Sequence, residues 1–284
     1  MVDRPSGGTG ALPEPRPPEY VLGANEKELA RLTLQQEVWG HVTEAFFDRL
    51  RIARGARCLD IGCGPGLLVE SLRSRVGPEG HVDALDESPV WQEHLARLSR
   101  ERGWKNVRLV ESRLEDANLE AGSYDLILCR WVLSFLPGLS GLAKGLASLL
   151  APGGVLAVED YNHEGISVFP ESDGLKAVVR ATRALWASKG GDMWIAGRLP
   201  GAFRAAGLEL IDYTPTVLAG GPTSGVFRWA DAFFPLHSAN MVRLGLLSQA
   251  ERDSYLKEWA ERLGDPDAVF FSPILVDVAG RKSG

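Results

Sequence analysis

The chain has 284 residues, 45% of them hydrophobic and 24% charged, with a formal net charge of −6 and a pI of about 5.5. This is the composition of an ordinary soluble globular protein, and its acidic balance argues against a nucleic-acid partner held through phosphate contacts. No apolar run approaches the ~18 residues a membrane span needs, and the Pro- and Gly-containing stretch 1–18 lacks the apolar core of a secretory signal. The three cysteines, Cys58, Cys63 and Cys129, form no CxxC pair. Neither disulfides nor a zinc site is expected, and a reducing cytoplasm is the expected setting.

In chain order, residues 1–18 read as a flexible tail that cannot bury a core. Residues 19–50 read as a helical lid. From Glu26 an apolar stripe runs through Leu29, Leu32, Leu34, Val38, Trp39, Val42, Phe46 and Leu50. From Ala56 the pattern alternates. "RCLDI" predicts a strand, Leu67–Arg75 a helix, "GHVDALD" a strand, and Val90–Arg102 a helix. "VRLVES" and "YDLILC" predict the third and fourth strands, Leu142–Leu150 a helix stopped by "APGG", and "VLAVED" a fifth strand. Leu175–Lys189 reads as a helix, 198–216 as a helix then a strand, 226–264 as helical and aromatic, and 268–282 as a last strand. Alternating strands and helices imply an α/β, doubly wound, Rossmann-like sheet, mostly parallel, with right-handed crossovers. This α/β domain would span 51–284, with helical insertions at about 162–196 and 217–265. Ligands bind such sheets at the carboxyl ends of the strands, where strand order reverses.

The stretch "CLDIGCGPGLLVESL" enters a loop whose glycines are Gly62, Gly64 and Gly66. A dinucleotide fingerprint, G-x-G-x-x-G, would need its third glycine at Leu67, so the match fails by one residue. Asp60 ends the strand, where a carboxylate repels a pyrophosphate and suits an ammonium or sulfonium charge. Glycines there let the backbone approach a ligand closely. About 20 residues after Gly66, Asp86 closes the second strand, placed to accept hydrogen bonds from a ribose diol. A ribose and a positive charge without a pyrophosphate describe S-adenosylmethionine.

These residues, with "LDIGCGPG", "VDALDESP", "GSYDLILCRWVLSFL" and "LLAPGGVLAVED" in this order over roughly 55–160, resemble the class I S-adenosylmethionine-dependent methyltransferases. The similarity is greatest to the small-molecule enzymes of bacterial secondary or quinone metabolism. "YVLGANEKELARLTLQ" resembles their lid helix, with Tyr20 and Gln35 at its cofactor-facing positions. The resemblance implies seven-stranded topology and roles by position. Asp60 holds the methionine amino group; Gly62, Cys63 and Gly64 line methionine and ribose; Asp86 takes the ribose hydroxyls, with Glu87 beside the adenine. Many relatives carry Asp where this chain has Arg113, which leaves open how the adenine amino group is read, with the Leu114 amide and Glu115 as the candidates. Cys129, Arg130 and Trp131 would close over the cofactor.

Methyl transfer from a sulfonium is an in-line displacement that gains chiefly from positioning in a dry pocket. A base adds to it when the acceptor must lose a proton. The fifth strand ends in "EDYNHEG", with Tyr161 and His163 leaving it on the pocket side. His163 is the preferred base and His237 its rival, because an imidazole titrates near neutrality. Asp160, Asn162 and His163 lack the further carboxylate a catechol-type metal site needs, so no metal is expected. The insertions carry Trp186, Met193, Trp194, Phe227, Trp229, Phe233, Phe234 and Met241. Of these, Trp194 and "FRWADAFFPLH" are expected to wall an apolar or aromatic small-molecule acceptor. Transfer to an O, N or C atom of such a molecule is the leading reading, and a non-catalytic cofactor-binding partner or sensor the alternative. A macromolecular substrate is disfavoured by the charge and by the absence of an Asn-Pro-Pro-Tyr type of loop.

Overall fold

The computed structural model describes residues 25–284. Helix α1 (Glu26–Leu50) starts where the Asn25 side chain accepts the Glu28 amide, with Glu26 and Glu28 in the first turn favouring the positive helix end. Five strands and three helices follow: β1 (Arg57–Ile61), α2 (Val69–Val76), β2 (His81–Asp86), α3 (Pro89–Glu101), β3 (Val107–Glu111), β4 (Tyr124–Arg130), α4 (Leu139–Leu149) and β5 (Leu150–Asn162). The chain continues through β6 (Ser167–Phe169), α5 (Asp173–Ser188), α6 (Ile195–Ala205), β7 (Leu208–Thr216), β8 (Ala219–Gly220), α7 (Gly225–Arg243), α8 (Gln249–Gly264), β9 (Val269–Phe271) and β10 (Ile274–Lys282).

The main sheet has the seven strands the sequence predicts, in the order β3-β2-β1-β4-β5-β10-β7. Only β10 runs against its neighbours. Strands β1, β4 and β5 are buried on both faces, which is why they read as near-continuous apolar runs. Order reverses between β1 and β4, and a crevice opens at their carboxyl ends.

The single C-terminal strand expected over 268–282 is two, β9 and β10, broken at Ser272–Pro273. Strand β9 leaves the main sheet to pair with β6 and β8. The helical stretch 226–264 is likewise two helices, α8 being started by a capping box of Ser248 and Glu251.

Apolar side chains form separate cores. One lies on each face of the sheet, and a third lies among α5, α7, α8 and the middle of α1. Helix α1 spans two of them: Trp39 packs edge-on to Trp229 at 4.8 Å in the helical cap, and Phe46 and Phe47 pack under the sheet. Polar ties fix both halves. Arg31 is bidentate to Glu28 and donates to Gln35, whose Oε1 also accepts the Trp229 indole N–H at 3.1 Å. Lower down, Thr43 donates to Glu159 at 2.9 Å, and Arg49 reaches Asp277 at 2.6 Å and Asp212 at 2.7 Å.

Candidate active site

The crevice at the β1/β4 switch point is the mouth of one cavity of about 390 Å³, which runs from the glycine loop to the helical cap. Its first half is built by the ends of β1, β2 and β3. The loop after β1 is pinned by the Cys63 amide to the Leu85 carbonyl and by the Gly66 amide to the Cys63 carbonyl, each 3.0 Å. A Cβ on Gly62 would meet Val132 at 2.5 Å, and one on Gly66 would meet Leu95 at 2.3 Å. Both glycines have positive φ, so both are demanded by packing as well as by turn geometry. Gly64 differs: nothing lies within 4 Å of its Cβ position, and it lines the cavity. Gly62 and Cys63 line the cavity beside it, whereas Gly66 does not.

Two carboxylates flank this loop. Asp60 is 3% exposed, and its Oδ2 has no hydrogen-bond partner. Burial pushes its carboxyl up to about 7, against the pull of Arg130. A buried carboxylate with an unmade bond fits a cationic group entering the cavity. Asp86 accepts the Gly64 amide on Oδ2 at 2.8 Å and the Ser88 amide on Oδ1 at 2.9 Å, which fixes both oxygens and leaves each a lone pair for a diol. Glu87 and Leu114 line the same end. Arg113 does too, 3.8 Å from Glu87 and 3.7 Å from Glu115. These residues fit a nucleoside carrying a positively charged amino-acid tail.

Arg130 ends β4 and lines the cavity from a buried position. It donates to Gln36 at 2.6 Å and to Thr43 at 3.0 Å. Its nearest acid, Glu159 at 3.9 Å, faces Asp277 across the β5–β10 register. Burial holds the Glu159 carboxyl well above the ordinary range, with the Asp277 charge adding to it, and Glu159 Oε2 and Asp277 Oδ1 are both buried without a hydrogen-bond partner. A protonated Glu159 leaves the Arg130 charge uncancelled and available to an anionic group in the cavity.

The second half is aromatic. Trp131 takes a left-handed conformation, φ 54°, directly after β4 and lies parallel to Tyr161, ring centroids 6.0 Å apart. Trp229 and Phe233 of α7, stacked at 5.6 Å, face it from the cap. Trp186 of α5 and Met193 close the far side.

Several expected site residues lie elsewhere. Cys129 is fully buried inside β4 and does not reach the cavity, because β4 runs one residue further than the sequence pattern indicates. His237 packs on Phe233 at 4.5 Å within α7, away from the cavity; burial, with Arg31 adding to it, pushes its imidazole down to about 4. Trp194 turns outward, its indole donating to Glu164 at 2.9 Å. Of "FRWADAFFPLH", Trp229 and Phe233 reach the cavity while Phe227 and Phe234 fill the cap core. Tyr20 lies outside the described residues.

His163 does line the cavity, but not as a base. Its Nδ1 accepts from Arg183 Nε at 3.4 Å, and Arg183 also holds its carbonyl. Arginine only donates, so the neutral ring carries its proton on Nε2. Burial, with Arg183 adding to it, pushes the imidazole down to about 3. Such a ring donates a hydrogen bond and does not take up a proton near neutrality.

Gln35 lines the cavity as expected, and so does Arg31, which the apolar-stripe reading passed over. The signal was present: Arg31, Gln35, Val38 and Val42 share one helical face, so a charged residue interrupts the buried stripe.

Fold and site together define a class I S-adenosylmethionine-dependent methyltransferase. The methyltransferase-domain family model matches residues 32–213, and the chain belongs to that family. Aklanonic acid methyltransferase DauC of Streptomyces sp. (strain C5) is 34% identical over 103 residues, 36% of this chain and 47% of that protein. The ubiquinone biosynthesis O-methyltransferase of Xanthomonas axonopodis pv. citri (strain 306) is 40% identical over 109 residues, 38% of this chain and 44% of that protein. The chain thus spans less than half the length of these curated relatives. The crystal structure of the YcgJ protein from Bacillus subtilis superposes with a TM-score of 0.57 at 19% identity, covering 86% of this chain and 99% of that one, a likeness of fold. Among the described residues no helix is long and apolar enough to cross a membrane.

Proposed function

We propose that the protein transfers a methyl group from S-adenosylmethionine to an oxygen of a small, largely aromatic metabolite. The observation that carries the reading is one continuous cavity with two chemistries: an acid- and glycine-lined end that fits the cofactor, and an aromatic end that fits the acceptor. When bound, S-adenosylmethionine supplies an electrophilic methyl group on a sulfonium. Asp60 holds the ammonium, Asp86 orients the ribose, and Arg130 faces the carboxylate end of the amino-acid tail. Trp131, Tyr161, Trp229 and Phe233 exclude water and hold an aromatic plane against the reacting centre, so the rate comes mainly from positioning. Oxygen is favoured over nitrogen or carbon because the matched ubiquinone relatives are named O-methyltransferases.

Calorimetric titration with S-adenosylhomocysteine, with NADH as control, tests the cofactor half. A panel of hydroxylated quinones and aromatic acids assayed with labelled S-adenosylmethionine tests the acceptor half. Binding of NADH in place of S-adenosylhomocysteine would overturn the reading.

A further inference from the structure

The cavity divides its charges. Its carboxylates, Asp60, Asp86, Glu87 and Glu115, all come from the β1–β3 end. Among the described residues, no carboxylate lines the part built by α1, the end of β4, β5, α5 and α7. That part is lined instead by aromatic residues that carry N–H and O–H groups, Trp131, Tyr161 and Trp186 among them. The Trp131 and Trp186 indole nitrogens and the Tyr161 hydroxyl are buried and have no hydrogen-bond partner. Buried polar atoms are almost always paired, so three unmade bonds around one cavity point to an occupant that accepts them.

The charged neighbours agree. Arg31 from α1 and Arg130 from β4 both favour negative charge near the Tyr161 oxygen. Asp160 and Glu159, the two residues before Tyr161 in β5, oppose them. Burial holds the Tyr161 phenol above its ordinary range, so it stays a donor. His163, just after β5, is neutral, with its proton on the nitrogen Arg183 does not face. Lys189, at the C-terminal end of α5, adds an exposed ammonium at the rim.

Resting on the methyl-transfer reading above, we infer that the acceptor binds as its oxyanion, an acidic phenol, enol or carboxylic acid that reaches the site already deprotonated. Tyr161, Trp131 and Trp186 receive its oxygens, and Lys189 supplies the positive rim. The oxyanion oxygen forms the new bond to the methyl carbon as the carbon–sulfur bond breaks, and the electron pair stays on sulfur. Oxyanion and sulfonium charges cancel, no proton has to leave, and a general base is not needed. This explains why the one imidazole in the cavity is held neutral as a donor.

The test uses the full chain saturated with S-adenosylhomocysteine and 4-nitrophenol as a probe, whose ionised form absorbs in the visible. The inference expects the bound probe's apparent pKa to fall by about one unit or more, the phenolate binding at least about tenfold more tightly than the phenol. It expects 4-nitroanisole, the uncharged methyl ether of the probe, to bind at least about tenfold more weakly than the phenolate. Lys189→Met, at an exposed position, and the isosteric Tyr161→Phe should each reduce the pKa shift. An unchanged or raised pKa, equal binding of 4-nitroanisole, or a shift that survives both substitutions would overturn the inference while leaving the cofactor reading intact. Failure of S-adenosylhomocysteine to bind would overturn both.

Discussion

Replacing Asp60 by Asn separates the charge of this side chain from its shape. The carboxyl is buried with one unpartnered oxygen and sits at about 7 in the free protein. An incoming ammonium must find it ionised, so binding lowers its pKa and the free protein holds the extra proton. Affinity therefore strengthens as pH rises towards about 7 and then levels off. With a free-protein value of about 7, S-adenosylhomocysteine should bind about tenfold more weakly at pH 6 than at pH 8. A charge-assisted hydrogen bond contributes about 2–3 kcal/mol, so Asp60→Asn should weaken binding at pH 8 by roughly 30- to 150-fold. It should also flatten the pH dependence, because nothing titratable remains at that position. Calorimetry of both proteins across pH 5.5–8.5, with circular dichroism as a fold check, measures both effects. Wild-type affinity independent of pH, or a loss below about threefold in the variant, would refute the role given to Asp60.

Three other outcomes follow from the same geometry. Gly66→Ala places a Cβ 2.3 Å from Leu95 at a positive φ, and should destabilise the fold by about 2–4 kcal/mol in urea unfolding. Glu159→Gln can keep the bond from Thr43 and donate to Asp277. The native protein holds a proton on Glu159 that the unfolded chain loses near its ordinary value, so wild-type stability should decline as pH rises above about 4.5. Unfolding at pH 6 and pH 9 should show a smaller decline in the variant. His163→Gln should leave the pH dependence of turnover without a lost limb near neutrality, since His163 is not the base; a limb that disappears with the imidazole would contradict that.

The cofactor half was legible in the chain because its signals are local. The glycine spacing, an acid at the end of an apolar run and a second acid at the next strand end all lie within a few residues of what they build. Buried strands such as β1 and β4 were equally plain, since both faces are largely covered and the run is mostly apolar. What escaped depends on distant partners. Nothing around His163 announces Arg183, 20 residues on, which turns a candidate base into a donor. The sheet of β6, β8 and β9 has strands of two or three residues, too short to carry a period. Glu159 and Asp277 show as single acids in apolar strands, yet only strand register reveals that they face each other. Lys189 looks like any solvated lysine until the fold brings it to the cavity rim.

The segregation of the apolar cores bears on how such a protein changes its chemistry over generations. Most acceptor-facing aromatics belong to the cap, whose packing is largely independent of the two cores that sandwich the sheet. Substitutions there can remodel what is methylated without eroding the grip on the methyl donor. Helix α1 is the exception, since Trp39 serves the cap while Phe46 and Phe47 serve the sheet. A transplanted cap would have to bring the part of α1 up to Val42 with it and leave the remainder, from Thr43 onward, to its host. That junction is where a chimaera between two such enzymes should be cut.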